Sequence, residues 1–133
     1  MSVSVSIIVP CYNVAAYLDQ CMESLTGQSM EDIEIICVND GSSDRTAEIL
    51  REWRNRDRRV RIIDQKNSGV SAARNSGMEA AAGTYIGFVD PDDMVERNMF
   101  QRLFTAAAEK DADVAVCGYH EFCDCGDMDM PES

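Results

Sequence analysis

Residues 3–9, Val-Ser-Val-Ser-Ile-Ile-Val, form a strand-length run of β-branched and apolar side chains, and Pro10-Cys11-Tyr12-Asn13 closes it with turn chemistry. A helical stripe follows, with Val14, Leu18, Cys21, Met22 and Leu25 spaced three and four residues apart or adjacent. A buried-type strand leading into an amphipathic helix is the opening of a βαβ unit. The pattern then repeats. Val- and Ile-rich runs return at Ile33–Asn39, Val60–Asp64, Thr84–Val89 and Asp113–Gly118. Between them, Ala47, Ile49, Leu50 and Trp53 mark a second helix, and the alanine-rich segment Val70–Ala82, closing on Gly83, marks a third. A fourth runs from about Val95 to Lys110, with Met99, Leu103 and Ala107 inward. Alternation throughout predicts an α/β fold: a three-layer αβα sandwich on a mostly parallel, Rossmann-like sheet with right-handed crossovers.

The chain of 133 residues has room for one domain, and 45% hydrophobic with 27% charged residues is the composition of a folded globular protein. No apolar run reaches the ~18 residues of a membrane helix. Met1 leads straight into a strand-like run without a basic leader, so the expected location is cytoplasmic. A net charge of −12 repels phosphate backbones, and no nucleic-acid partner is expected. Yet residues 1–44 hold no Lys or Arg, whereas residues 45–74 hold nine, including Arg51, Arg54, Arg56, Arg58, Arg59 and Arg61. Such a run suits either an anionic partner or the solvated face and C-terminal end of a helix. The lack of interleaved aromatics favours the solvated face.

Of the six cysteines, Cys21 falls on the helical stripe and Cys37 inside a strand, both as small core hydrophobes. Cys117, His120, Cys123 and Cys125 gather four soft ligands near the end of the sequence. They form no CxxC knuckle, so neither zinc nor a stable disulfide is expected there.

In parallel sheets, ligands bind beyond the carboxyl ends of the strands, near the point where strand order reverses. The loops at that edge are Pro10–Asn13, Asp40-Gly41-Ser42-Ser43-Asp44, Gln65-Lys66-Asn67-Ser68-Gly69 and Asp90-Pro91-Asp92-Asp93. Three carboxylates in four residues repel one another unless a cation sits between them. Hard oxygen ligands without His suit Mg2+ or Mn2+. The competing reading makes Asp92 or Asp93 a cap for the following helix, a task that needs only one of them. No G-x-G-x-x-G follows the first strand, which excludes the usual dinucleotide fold. Tyr12 is placed to flank a planar base, and Asp40 to accept a hydrogen bond from a base N–H. Equally, Asp40 can start a turn, Gly41 can supply a left-handed residue and Asp44 can cap the next helix.

Together Val-Ser-Ile-Ile-Val-Pro-Cys-Tyr-Asn at 5–13, Val-Asn-Asp-Gly-Ser-Ser-Asp at 38–44, Asn-Ser-Gly-Val-Ser-Ala-Ala-Arg-Asn-Ser-Gly at 67–77 and Phe-Val-Asp-Pro-Asp-Asp at 88–93 resemble the family 2 glycosyltransferases of the GT-A fold. The resemblance spans residues 3 to about 118 and implies an inverting transferase moving a sugar from a nucleotide-diphosphate donor, commonly a UDP-sugar, to an acceptor hydroxyl in glycan or polysaccharide synthesis. It assigns Pro10, Tyr12 and Asn13 to the nucleoside pocket and Asp40 to the base. Lys66, Gly69 and Arg74 fall in the segment lining the donor site, and Asp90 and Asp92 match the Asp-x-Asp motif, with Asp93 beside them. Asp90 is expected near ribose or metal, and Asp92 on the cation.

The same resemblance divides the chain into a nucleotide-sugar-binding part, 1–118, and an irregular tail or start of an acceptor-binding part, 119–133. It implies a truncated domain, a general base from outside this chain, and no transfer by these 133 residues alone. Glycan, lipid-linked or other hydroxyl acceptors are expected, with peripheral association of the full-length protein at the inner face of the membrane. Two other functions fit the acidic loop less well: a metal-dependent phosphohydrolase or phosphotransferase, and a non-catalytic nucleotide-binding module. The first usually carries its Asp pair after the first strand. With Tyr12, Asp40 and Asp92 around one ligand, the strand Val5–Val9 must lie between those ending at Asp40 and Asp90.

Overall fold

The computed structural model describes residues 3–109, and the backbone alone of 120–123 and 126–129. Strands β1 (Val5–Cys11), β2 (Ile33–Asp40), β3 (Val60–Gln65) and β4 (Tyr85–Phe88) alternate with helices α1 (Ala15–Thr26), α2 (Thr46–Arg56), α3 (Val70–Ala80) and α4 (Met99–Glu109). All four strands are parallel, in the order β3-β2-β1-β4. The expected central position of β1 is therefore found. Helix α4 starts at Met99 rather than near Val95. The expected strand Asp113–Gly118, together with the side chains of Cys117, His120, Cys123 and Cys125, lies outside the described residues. Within the tail expected to be irregular, His120–Cys123 and Gly126–Asp129 pair as a short antiparallel hairpin, β5 and β6. Backbone pairing needs no apolar period, so composition left it unmarked.

β1 and β2 are buried along their whole length, as their unbroken apolar runs require. Ile7, Val9, Cys11, Ile35 and Cys37 face the core made by the buried stripes of α1, α2 and α4, while Ile8, Ile36 and Val38 face α3. Ile7, Ile8, Ile35 and Ile36 are wholly buried, each side chain worth about 1.5–3 kcal/mol. Helix α3 lies close because its inward residues are small: a Cβ on Gly77 would stand 2.5 Å from Ile8 Cγ2.

The basic run splits by role. Arg51, Arg54 and Arg58 are exposed and Arg56 stacks 4.9 Å over Trp53, whereas Arg59 pairs with Asp57 at 2.8 Å and Arg61 with Glu34 at 2.7 Å. No described helix is long and apolar enough to cross a membrane.

Beneath α3 the amino-terminal end of the sheet carries a buried polar knot. Glu34 accepts from Ser6 Oγ at 2.6 Å, the Ala82 N–H at 2.7 Å and Arg61 Nη1 at 2.7 Å. Ser6 Oγ in turn accepts from the Gly83 N–H at 2.8 Å, fixing the turn that delivers β4. Burial raises the Glu34 carboxyl, and the donors outweigh it, holding the group below the ordinary glutamate range.

Candidate functional site

The parallel sheet brings the four polar loops to one edge, and side chains then staple them together. Asn13 adopts a left-handed φ of 50°, and its Oδ1 accepts from the Ser43 N–H at 2.8 Å and the Asp44 N–H at 3.3 Å. Its own N–H donates to Ser42 Oγ at 3.0 Å. Asp44 serves two helices at once, accepting from the Thr46 N–H of α2 at 2.9 Å and the Ala15 N–H of α1 at 3.2 Å. The Asn13 side chain is thus spent joining the first loop to the second, and Asn13 does not line the cleft they form.

Asp40 binds the third loop. Its Oδ1 accepts from Gln65 Nε2 at 2.9 Å and the Ser68 N–H at 2.8 Å, and its Oδ2 from the Gly69 N–H at 3.0 Å. Burial raises this carboxyl, but the three donors hold it below the ordinary aspartate range, so it is an anion at neutral pH. Two carboxylate oxygens offer about four acceptor positions, which leaves one for a ligand. Gly41 has the expected left-handed conformation, φ +74°, and a Cβ there would lie 2.6 Å from the Asn67 nitrogen. Only glycine lets the second and third loops meet this closely.

Between these loops opens a cleft of about 320 Å³. Pro10, Tyr12, Asp40 and Gly69, all singled out in the sequence, line it together with Asn67 and Val70. Tyr12 is half exposed at its mouth, and Cys11 and Ala73 complete the floor. Asn67, Val70, Cys11 and Ala73 escaped the sequence reading, although Asn67 stands in a quoted loop and Val70 and Ala73 open the helix after it. Lys66 is exposed and stands off the cleft lining.

The fourth loop is different in kind. Asp90, Asp92 and Asp93 are exposed, and one carboxylate oxygen of each lies within 4.8 Å of the others. The Asp93 N–H closes a turn onto the Asp90 carbonyl at 3.0 Å. Helix capping does not explain them, because α4 begins six residues after Asp93 and its Phe100 N–H is met by Gln28 Oε1 at 3.2 Å. All-oxygen donors at this spacing fit a Mg2+- or Mn2+-sized ion. Arg74, one turn into α3, places Nη2 3.4 Å from Asp90 Oδ1. Its Nε is buried and meets no acceptor among the described residues. Below the loop the Cys21 thiol donates to the Asp90 carbonyl at 3.7 Å; burial first, then the Cys11, Asp93, Asp92 and Asp90 charges, push its pKa up to about 12.

Comparison with known proteins shows the family and the fold. The family model described as glycosyl transferase family 2 matches residues 6–132. The chain is 52% identical over 117 residues to the uncharacterized glycosyltransferase EpsJ of Bacillus subtilis, covering 88% of this chain and 34% of that one. It is 43% identical over 118 residues to the glycosyltransferase GlyA of Streptococcus pneumoniae, covering 89% of this chain and 17% of that one. Among solved structures, TarS 1–349 of S. aureus in complex with UDP-GlcNAc superposes with a TM-score of 0.72 at 31% identity, over 81% of this chain and 31% of the 1–349 chain. The chain thus spans about a third or less of the length of these relatives.

Proposed function

The chain belongs to glycosyl transferase family 2, and from that premise we propose that it forms the donor-binding part of an inverting transferase that moves a sugar from a UDP-type nucleotide sugar to an acceptor hydroxyl of a glycan. The observation carrying this reading is one of position: a cleft edged by Tyr12 and the buried Asp40 anion opens on the same sheet edge as an exposed Asp90–Asp92–Asp93 cluster. A base and a diphosphate need those two environments side by side. Tyr12 offers a face to a planar ring, and the remaining acceptor position of Asp40 suits the N–H of a uracil-like base. TarS, whose fold this chain shares, has been solved with UDP-GlcNAc. Asp90 and Asp92, flanking Pro91, would hold Mg2+ or Mn2+ with Asp93 beside them. When bound, the ion neutralises charge growing on the diphosphate as the bond to the sugar breaks. Without it, an acidic loop on a chain of net charge −12 repels the ligand.

Calorimetry of UDP binding with and without Mn2+, on wild type and Asp92→Ala, tests the reading. Binding that needs both the ion and Asp92 is expected. Binding indifferent to both would overturn the site.

A further inference from the structure

We propose that Arg74 is the resident counter-charge of the acidic loop: it occupies Asp90 while no cation is bound and passes to the diphosphate when the donor arrives. The inference rests on the nucleotide-sugar reading above and adds an order to how the site fills. Three observations carry it. First, the Arg74–Asp90 contact is loose: 3.4 Å between side chains 41% and 55% exposed, the kind of pair that exchanges readily. Second, Arg74 Nε is buried without an acceptor among the described residues, so the guanidinium sits with one donor unspent. Nε itself has no surface for a ligand to reach, so an incoming phosphate meets the guanidinium at its Nη end, with two oxygens on the fork. Third, the arginine is held from the base end of the site. Asp40 accepts from the Ser68 and Gly69 N–H groups at the start of α3, and Arg74 rides that helix five residues further on.

A cation approaching Asp90, Asp92 and Asp93 must then compete with Arg74 for Asp90. A diphosphate removes the competition, because it offers oxygens to both the guanidinium and the ion. Cation and nucleotide therefore strengthen each other's binding, and by linkage the factor is the same in both directions. Arg74 is in this sense a positioning residue. It sets which ligand enters productively first.

The test titrates Mn2+ by electron paramagnetic resonance into the 133-residue chain, with and without UDP, for wild type, Arg74→Gln and Arg74→Lys, with Trp53 emission verifying the fold. Arg74→Gln is expected to bind Mn2+ alone about two- to fivefold more tightly, because the competitor is gone. The same variant should bind UDP at saturating Mn2+ about tenfold more weakly. Arg74→Lys keeps the charge, so its affinity for Mn2+ alone should stay near wild type, while UDP binding remains weakened for want of the fork. A purely structural arginine would not tighten metal binding on removal. Equal or weaker Mn2+ binding by Arg74→Gln overturns the inference, as does a Lys variant that tightens Mn2+ as the Gln variant does. If wild type binds no UDP under any condition, the nucleotide reading falls, and the arm with Mn2+ alone still decides whether Arg74 guards Asp90.

Discussion

Glu34 and Asp40 stand at opposite ends of β2, both buried, both facing the α3 side of the sheet, and both receiving three hydrogen bonds. Their surroundings separate them. Glu34 is closed in by Ser6, the Ala82 N–H and the Arg61 cation, so its charge is neutralised where it lies. Asp40 has only neutral donors and edges an open cleft. One carboxylate locks a turn, and the other locks a loop while keeping a charged face toward the place where a ligand would sit. Burial with satisfied hydrogen bonds does not by itself mark a functional acid. What separates these two buried acids is that Asp40 edges an open cleft with no cation beside it.

The largest expected effect falls on the locked end. Glu34→Ala strips partners from Ser6, the Ala82 N–H and Arg61 together, and should cost about 2–3 kcal/mol, less than the ~3–5 kcal/mol of a fully buried broken pair because the half-exposed Arg61 can rehydrate. Urea unfolding followed through Trp53, the chain's single tryptophan, measures it. UDP affinity of the folded protein should not move. A drop in affinity with unchanged stability would reverse the roles assigned to the two acids.

Asp40→Asn should strike both properties at once. An amide keeps one acceptor oxygen but turns its NH2 either toward the Gly69 N–H or, flipped, toward the Ser68 N–H and Gln65 Nε2, at a cost of about 1–2 kcal/mol. It also presents a donor where a base N–H needs an acceptor, so UDP binding should fall at least about tenfold. Calorimetry beside the same urea titration separates the two losses. Intact UDP binding by a folded Asp40→Asn protein would leave Asp40 as a loop anchor only.

Acid titration sharpens the pair further. Both carboxyls are held below their ordinary values of 4.5 and 3.8, so the folded state binds their protons more weakly than the unfolded chain does. The stability they contribute is fully present above those values and is lost as the pH falls through the depressed folded values. Glu34→Gln should flatten the acid limb of a plot of stability against pH in part, leaving the shares of Asp40, Asp44 and Asp57, which are also held below the ordinary aspartate value. An unchanged limb would mean that Glu34 does not titrate with folding.

The layered fold was legible because apolar periodicity reports burial directly: β1 and β2 read as unbroken runs, and the α1 stripe Leu18, Cys21, Met22 and Leu25 is buried as spaced. The loops were legible because parallel strands bring all their carboxyl ends to one edge. Two things were not. Glu34 sits inside a run read as apolar, and only the three-dimensional approach of Arg61 and Ala82 explains a charge there. Val70 and Ala73 belong to a helix stripe, and nothing in their spacing says that one end of that stripe forms the wall of a cleft. Asn13 shows the converse: its place in a motif suggested a ligand, while its amide oxygen holds two backbone N–H groups of the neighbouring loop.

The smallest stability effect belongs to the cluster most exposed to solvent. Asp92→Asn removes one of three like charges whose oxygens lie within 4.8 Å of each other, on a loop that caps no helix. Exposed substitutions away from caps and cores stay within about 0.5 kcal/mol, and relief of repulsion sets the sign toward stabilisation. Metal reverses the comparison. An ion that binds only the folded state raises its stability by mass action, so millimolar Mn2+ should raise the wild-type melting temperature and leave Asp92→Asn unmoved. Thermal melts of both proteins, with chelator and then with Mn2+, decide it. A loss above about 1 kcal/mol in chelator would place Asp92 with Glu34 among acids that hold the fold together. A rise with Mn2+ as large in the variant as in wild type would move the ion away from this loop. The expected pattern is silence without metal and a difference with it, as follows when a carboxylate is exposed because a ligand rather than the protein completes its surroundings.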